Sequence, residues 1–206
     1  MKILFQLTII ISAGYGASVQ SGFWNGTFNG QQLCYYTILS NFIIFIYYSS
    51  LLFHTLLNKP LKHRNDNIRG ALTLMITITG LIYHTLLAPQ FDGSTPYGIE
   101  PLSNVLIHTY VPLAVLIDWI FFVTLKDSRK LTPFFWLSIP LGYWILSLFY
   151  ASFKIPFILT GSYYAYFFID INQLGLWKVL LNVLLLSCGF LLLGYALKWL
   201  KQIQSK

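Results

Sequence analysis

Thr37, His84 and His108 are side chains able to act as nucleophile or base, and each stands inside a long apolar stretch of the sequence. A threonine hydroxyl becomes nucleophilic when a neighbouring base accepts its proton, and a neutral imidazole can do so near pH 7. Asn104, His108 and Asp118 also share one face of the helix predicted for their stretch. Since ionisable groups at membrane depth cost a few kcal/mol or more, that face is expected to point to other helices or to a watered cavity.

The elements that hold these side chains are transmembrane helices. Of the 206 residues, 56% are hydrophobic, 18% aromatic and 9% charged, and the mean hydropathy is +0.66, which excludes an ordinary soluble domain. The net charge of +7 does not indicate nucleic-acid binding, because the basic residues fall between apolar segments. Two cysteines are too few for a disulfide framework, and we expect Cys34 and Cys188 to be unpaired.

Six apolar segments are long enough to cross a hydrocarbon core about 30 Å thick, so we predict an all-α, six-helix transmembrane bundle. They lie near 3–20, 33–57, 70–89, 103–125, 133–153 and 174–198, in a single domain over residues 1–206. Residues 1–20 would also suit a cleavable signal peptide. We predict that they are retained as the first helix, because Ala13 with Ala17, or Gly14 with Ser18, would form a packing face of small residues.

The distribution of basic residues predicts the topology. Eleven of the thirteen fall on one side: Lys2, Lys59, Lys62, Arg64, Arg69, Lys126, Arg129, Lys130, Lys198, Lys201 and Lys206. The loops 21–32 and 90–102 contain none, and only Lys154 and Lys178 flank the fifth loop. By the positive-inside rule both termini are expected to be cytoplasmic, in a multi-pass protein of the plasma membrane.

This topology places Thr37, His84 and His108 at one depth, about 6 to 8 Å below the outer boundary. Asn41 and Asn182 are expected one turn deeper. Two polar stripes predict a cavity opening outward between the helices: Thr73, Thr77, Gly80 and His84 on the third helix, and Tyr143, Ser147, Tyr150 and Lys154 on the fifth. The alternative is that these groups join helices by hydrogen bonds, each contributing about 1 kcal/mol.

A second polar group is expected near the cytoplasmic side, where His54 and Asp118 lie at similar depth. We interpret it as structural, with His54 and Asp118 pairing with each other or with Arg69.

Three functions would use the outer residues differently. Thr37 and His108 could form a nucleophile and base for acyl transfer to water. His84 and His108 could bind haem from opposite sides. The cavity could instead bind or carry a lipid or an ion without chemistry. The sequence has no Gly-x-Ser-x-Gly, His-Glu-x-x-His or Cys-x-x-Cys pattern to decide between them.

Four blocks, taken in order, resemble those of one family. They are residues 35–41 (YYTILSN), 79–84 (TGLIYH), 108–112 (HTYVP) with Asp118-Trp119, and 163–170 (YYAYFFID). The chain resembles the bacterial integral-membrane relatives of the androgen-induced membrane protein family, whose animal members hydrolyse fatty acid esters of hydroxy fatty acids. The resemblance runs from about the second helix to the sixth, although the last block has Ala165 and Phe167 where those relatives usually carry prolines.

The resemblance implies an intramembrane threonine hydrolase that cleaves a lipid ester without a cofactor. The family's proposed threonine and histidine correspond to Thr37 and His108. Five further polar residues are candidates to orient the histidine or to stabilise the oxyanion: Asn41, His84, Asn104, Tyr150 and Asn182. We expect the partner to be a lipid ester entering from the membrane, and we expect no nucleic acid and no metal.

Overall fold

The computed structural model of the protein describes residues 2–24, 26–58, 64–90, 101–123 and 132–204, and every regular element in these ranges is helical. Six helices there are long and apolar enough to cross a membrane, as predicted. The uninterrupted ones are α1 (Lys2–Gln20), α2 (Tyr36–Leu56) and α6 (Leu176–Gln204). The predicted multi-pass helical architecture is therefore confirmed, whereas the loop cations Lys59, Lys62, Lys126, Arg129, Lys130 and Lys206 lie outside the described residues.

The other three helices are interrupted. Helix α3 covers Arg64–Ile82 and continues through a π turn, Tyr83–Leu87, and a 3-10 turn, Ala88–Gln90. Helix α4 consists of Pro101–Val105, a π turn at Leu106–Tyr110, and Val111–Phe122. Helix α5 consists of Thr132–Trp136 and Ser138–Ser152.

Prolines account for both π turns. The N–H of Ala88 donates to the Tyr83 carbonyl, and the N–H of Val111 donates to the Leu106 carbonyl, in each case five residues back. The next residue is Pro89 in one turn and Pro112 in the other. A proline has no N–H and crowds the carbonyl four residues earlier, so the helix widens just before it. The two turns contain His84 and His108, the histidines that the sequence placed at one depth.

The helices alternate in direction, which gives the bundle two distinct ends. At the terminal end, where α1 starts and α4 and α6 finish, the rings of Phe5 and Phe122 are 5.9 Å apart, and Trp119 Nε1 donates to the Leu197 carbonyl at 3.0 Å. The loop end carries residues 21–24, 26–35 and 153–175, together with both π turns.

Close packing holds the π turn of α4 between two neighbouring helices. Ala13 and Ala17 on α1 are fully buried, and a methyl group added at Gly16 would lie only 2.5 Å from the Ile107 side chain. On the opposite side, a methyl group at Gly80 of α3 would lie 3.1 Å from the His108 carbonyl oxygen. These two glycines let α1 and α3 approach the backbone beside His108 closely.

The long connection between α5 and α6, residues 153–175, is folded against the helix ends and is called the roof loop here. Gln31 anchors it, because its Nε2 donates to the Pro156 carbonyl and its Oε1 accepts from the Ile158 N–H, at 2.8 and 2.9 Å. Asp170 accepts from the Ser162 hydroxyl at 2.5 Å and caps the short helix Ile171–Leu174. The roof loop is therefore held by Gln31, from the connection between α1 and α2, and by its own Asp170.

The terminal end contains the second polar group. Asp118 is completely buried and accepts hydrogen bonds through Oδ2 from the Tyr48 hydroxyl, at 2.7 Å, and from Arg69. Arg69 also lies over the Tyr48 ring at 5.8 Å. The predicted pairing of Asp118 is therefore with Arg69, while the imidazole of His54 lies edge-on to the neighbouring Phe53 ring.

Candidate active site

A cavity of about 530 Å³ lies at the loop end, beneath the roof loop. Thr37, Asn104 and His108 line it, so three of the residues singled out from the sequence border one space. Further polar lining comes from Gln20, Gln32, Tyr35, Tyr83, Gln90, Thr160, Ser162, Tyr164, Tyr166, Asp170 and Gln173. Of these lining residues only Asp170 carries a formal charge, and its oxygens are engaged in the roof loop.

Thr37 is the second residue of α2 and is 8% exposed. Its backbone carbonyl accepts a hydrogen bond at 2.8 Å from Nδ2 of the fully buried Asn41. The same Nδ2 donates to the carbonyl of Ile107, at 3.2 Å. Asn41 therefore ties the turn that carries Thr37 to the turn that carries His108, which gives this predicted supporting residue a bridging position.

His108 is held in one orientation by its own turn. Its Nδ1 lies 3.1 Å from the Asn104 carbonyl oxygen, which can only accept, so Nδ1 carries the proton in this contact. In the neutral imidazole Nε2 then has the free lone pair that a general base requires. Asn104, a predicted orienting residue, contributes here through its backbone carbonyl.

The ring of Tyr83 fixes the plane of the imidazole. It stacks on His108 with the centroids 3.8 Å apart and the planes 19° from parallel. The side chain of Asn104 donates to the Tyr83 hydroxyl at 2.7 Å, so Asn104 holds both the imidazole and the ring that covers it. His108 itself is 9% exposed.

Tyr166 of the roof loop meets the start of α2. The N-cap residue Tyr35 makes no side-chain cap, and the Tyr166 phenol oxygen instead lies in hydrogen-bonding contact with the backbone N–H groups of Tyr36 and Thr37 and with the Thr37 side chain. Burial raises the pKa of Tyr166, and this outweighs the opposing effect of those hydrogen bonds. The phenol is therefore neutral at physiological pH and retains a proton that it can donate.

His84, like His108, lies in a π turn at the loop end, but its side chain faces away from the cavity. Its imidazole is exposed, does not line the cavity, and makes a hydrogen bond of 3.0 Å through Nε2 with the hydroxyl of Thr109. The rings of both histidines contact Tyr83, at 5.1 Å for His84 and 3.8 Å for His108. The two imidazoles therefore do not face each other across the open space that a haem would occupy.

The two remaining predicted residues anchor the roof loop. The Tyr150 hydroxyl accepts from Gln31 Nε2 at 2.8 Å, and Asn182 Nδ2 donates to the Phe168 carbonyl at 2.9 Å. Neither lines the cavity. Within the described ranges no group of three or more His, Cys, Asp or Glu side chains is arranged to hold a metal ion.

A second, smaller cavity of about 80 Å³ lies on the other side of Thr37, between α3, α5 and α6. Thr37, Leu87 and Tyr166 line both cavities, whereas His108 lines only the larger one. Most of the smaller wall is apolar: Ile78, Ile82, Leu87, Pro140, Leu141, Phe168, Ile169, Val183, Leu186 and Phe190. Thr37 therefore stands at the junction of a polar and an apolar compartment.

Tyr83 and Tyr166 are the site residues that sequence reasoning missed. Tyr83 immediately precedes His84, but the polar stripe through Thr77 and Gly80 leads to His84 and not to Tyr83. Tyr166 lies in a run of aromatic residues, whose composition alone does not distinguish a residue facing the site from one at the membrane interface. For Tyr83, the available signal was its position next to His84. For Tyr166, it was its place within the resemblance block 163–170.

Comparison of the chain with protein-family models, with curated proteins and with solved structures finds no match.

Proposed function

We propose that the protein is an intramembrane hydrolase that cleaves a fatty acyl ester, with Thr37 as nucleophile and His108 as general base. The observation that carries this proposal is that both side chains border one cavity while the His108 Nδ1–H is held by a carbonyl, which leaves Nε2 to accept a proton. The order of the four sequence blocks supports the same assignment through the androgen-induced membrane protein family.

In the first half of the proposed reaction, Thr37 Oγ1 attacks the ester carbonyl carbon while its proton passes to His108 Nε2. The tetrahedral intermediate collapses, the bond between the carbonyl carbon and the alcohol oxygen breaks, and His108 returns the proton to that oxygen. The products are the free alcohol and an acyl-threonine ester.

In the second half, water attacks the acyl-threonine carbonyl and gives one proton to His108. Collapse of this intermediate releases a carboxylic acid, and the proton returns to Thr37 Oγ1. Water reaches the carbonyl from the large cavity, whose lining is rich in hydroxyl and amide groups.

Tyr166 supplies a donor for the oxyanion, and the start of α2 positions it. The N–H groups of Tyr36 and Thr37, at the positive end of α2, donate to the Tyr166 phenol oxygen. This contact holds the neutral phenol beside the nucleophile and leaves its O–H to donate to the oxyanion. One such donor is worth roughly 3 kcal/mol of transition-state stabilisation, so this arrangement can contribute substantially to the rate.

For orientation, we propose that the loop end faces outward and that both termini are cytoplasmic, in the plasma membrane. The support is the excess of basic residues in the second and fourth loops and the tail, according to the positive-inside rule. The cavity then receives water from outside and its substrate from the outer leaflet.

Covalent labelling tests the proposal. Purified protein in detergent is treated with a fluorophosphonate probe, and the labelled peptide is identified by mass spectrometry. We expect labelling at Thr37, with Thr37→Ala and His108→Ala each losing it together with turnover of an umbelliferyl ester. The control is Thr55→Ala, which removes an exposed threonine at the far end of the same helix. Full labelling of a folded Thr37→Ala variant would overturn the nucleophile assignment.

A further inference from the structure

The smaller cavity has the composition of a site for an aliphatic chain. Three of its polar wall groups are engaged with other parts of the protein. The Thr79 hydroxyl bonds to that of Ser40 at 2.9 Å, and the Tyr143 hydroxyl donates to the Cys34 carbonyl at 2.8 Å. The Tyr36 hydroxyl donates to the Met75 carbonyl at 3.3 Å. The wall surface that faces the open space is mostly hydrocarbon. Such a surface is unfavourable for water and for polar ligands.

The cavity extends from the loop end toward the middle of the bundle. On α6 its wall runs from Val183 to Phe190, which corresponds to about 10 Å along the helix axis. Leu141 and Trp144 of α5 form the facing wall, and these two side chains, like Val183, are only half-buried. The space therefore lies parallel to membrane lipid chains and is not sealed from the bundle surface.

The exposed face of α6 beside this opening is suited to lipid. Leu184 and Leu185 are 60% and 61% exposed and lie next to the wall residues Val183 and Leu186. A helix with such a surface in a membrane is surrounded by hydrocarbon chains. A chain that leaves this environment for the cavity exchanges one apolar surrounding for another, at little cost.

We infer that the smaller cavity binds the acyl chain of the substrate and that the larger cavity receives the leaving alcohol; this rests on the proposed function. The positions of the two catalytic groups set the assignment. His108 must protonate the leaving oxygen, and it borders only the larger cavity. The acyl carbon attached to Thr37 then extends in the other direction, past Tyr166 and Leu87.

This arrangement makes the walls of the smaller cavity determinants of acyl specificity. Ser187 is a small residue on the α6 wall, so Ser187→Phe fills the space, whereas Leu186→Ala enlarges it. Cys188, the next residue, is exposed on the helix surface, so Cys188→Phe is a control with a closely similar change in side-chain size outside the cavity.

The first experiment measures binding without chemistry. Wild-type protein and the Thr37→Ala, Ser187→Phe and Cys188→Phe variants are photocrosslinked with a diazirine-bearing palmitic acid, and the modified peptides are mapped. We expect crosslinks within residues 141–144 and 183–190 in the wild type, in Thr37→Ala and in Cys188→Phe, and their loss in Ser187→Phe. Undiminished crosslinking within these wall segments in a folded Ser187→Phe variant overturns the inference.

The second experiment measures chain-length preference with umbelliferyl butyrate, octanoate and palmitate. We expect Ser187→Phe to lower the palmitate-to-butyrate turnover ratio by about tenfold or more. We expect Leu186→Ala to move the optimum toward longer chains, which provides a test even if Ser187→Phe does not fold. Ratios that neither variant changes overturn the inference.

The two experiments separate the inference from the function on which it rests. If ester turnover survives Thr37→Ala while crosslinking follows the pattern above, the chain site stands and the proposed hydrolase mechanism fails. If turnover requires Thr37 and His108 but neither crosslinking nor chain preference responds to Ser187→Phe and Leu186→Ala, the mechanism stands and the chain site fails.

Discussion

The loop end and the terminal end of the bundle both bury polar side chains, but they use them differently. At the terminal end Asp118 accepts from Tyr48 and Arg69, and none of the three lines either cavity. At the loop end Thr37 and His108 border open space, and the His108 contact with Asn104 leaves one ring nitrogen available. The difference shows that burial of polar groups in a membrane bundle does not by itself mark a site. What distinguishes the loop end is that its candidate nucleophile and base, Thr37 and His108, border a cavity.

The largest expected effect comes from the terminal end and concerns stability. Arg69→Met leaves the Asp118 carboxylate buried without its cationic partner, so we expect the free energy of unfolding to fall by about 3–5 kcal/mol. Denaturant unfolding in detergent measures the loss. Ester turnover per folded molecule is expected to remain at the wild-type value, since Arg69 is remote from the cavity.

The double variant Arg69→Met with Asp118→Leu provides the control, because it removes both charges and should recover most of the lost stability. Loss of turnover in a stable Arg69→Met protein would mean that the two ends are coupled and that the distinction between them does not hold.

The next effect comes from the loop end and concerns activity. Tyr83→Leu removes the ring that stacks on His108 and the hydroxyl that accepts from Asn104. We expect turnover to fall by about tenfold or more, because an unfixed imidazole is misplaced for proton transfer. Tyr83→Phe keeps the stack and should lose less. Steady-state kinetics on the folded variants measures both, and equal losses in the two variants would assign the effect to the hydroxyl.

Six transmembrane helices followed from hydropathy alone because each spanning segment must be long and apolar. Counting residues from the helix ends also predicted that Thr37 and His108 lie at one level, and the two residues border one cavity. The direction in which a side chain faces around its helix axis was less predictable. A regular helical repeat would place His84 on the same face as Thr73, Thr77 and Gly80. The π turn begins at Tyr83 and breaks that repeat.

The roof loop was beyond sequence reasoning for another reason. Its shape is set by contacts far apart in the chain, such as Gln31 with Pro156 and Asn182 with Phe168. No local periodicity encodes such pairs. Consequently Tyr150 and Asn182, which the sequence predicts beside His108, instead hold the loop that brings Tyr166 to Thr37.

The smallest expected effect concerns His84, which lies at the loop end like His108 but does not face the cavity. Because its exposed imidazole only bonds to Thr109, we expect His84→Ala to change turnover by less than about twofold and the free energy of unfolding by about 1 kcal/mol or less. The same kinetic and unfolding measurements apply. A loss of turnover as large as that of His108→Ala would place His84 in the chemistry and would revive the paired-histidine interpretation.

The position of the roof loop in the chain has a consequence for biosynthesis. The ribosome completes α2 early. The N-cap residue Tyr35 gives the start of that helix no side-chain cap. Tyr166, which meets the backbone N–H groups there, is translated only after five of the six spanning helices. In a nascent chain Thr37 is therefore present long before the roof loop that covers it. On the proposed function, ester hydrolysis therefore has to await synthesis of the roof loop, well after the nucleophile has been made.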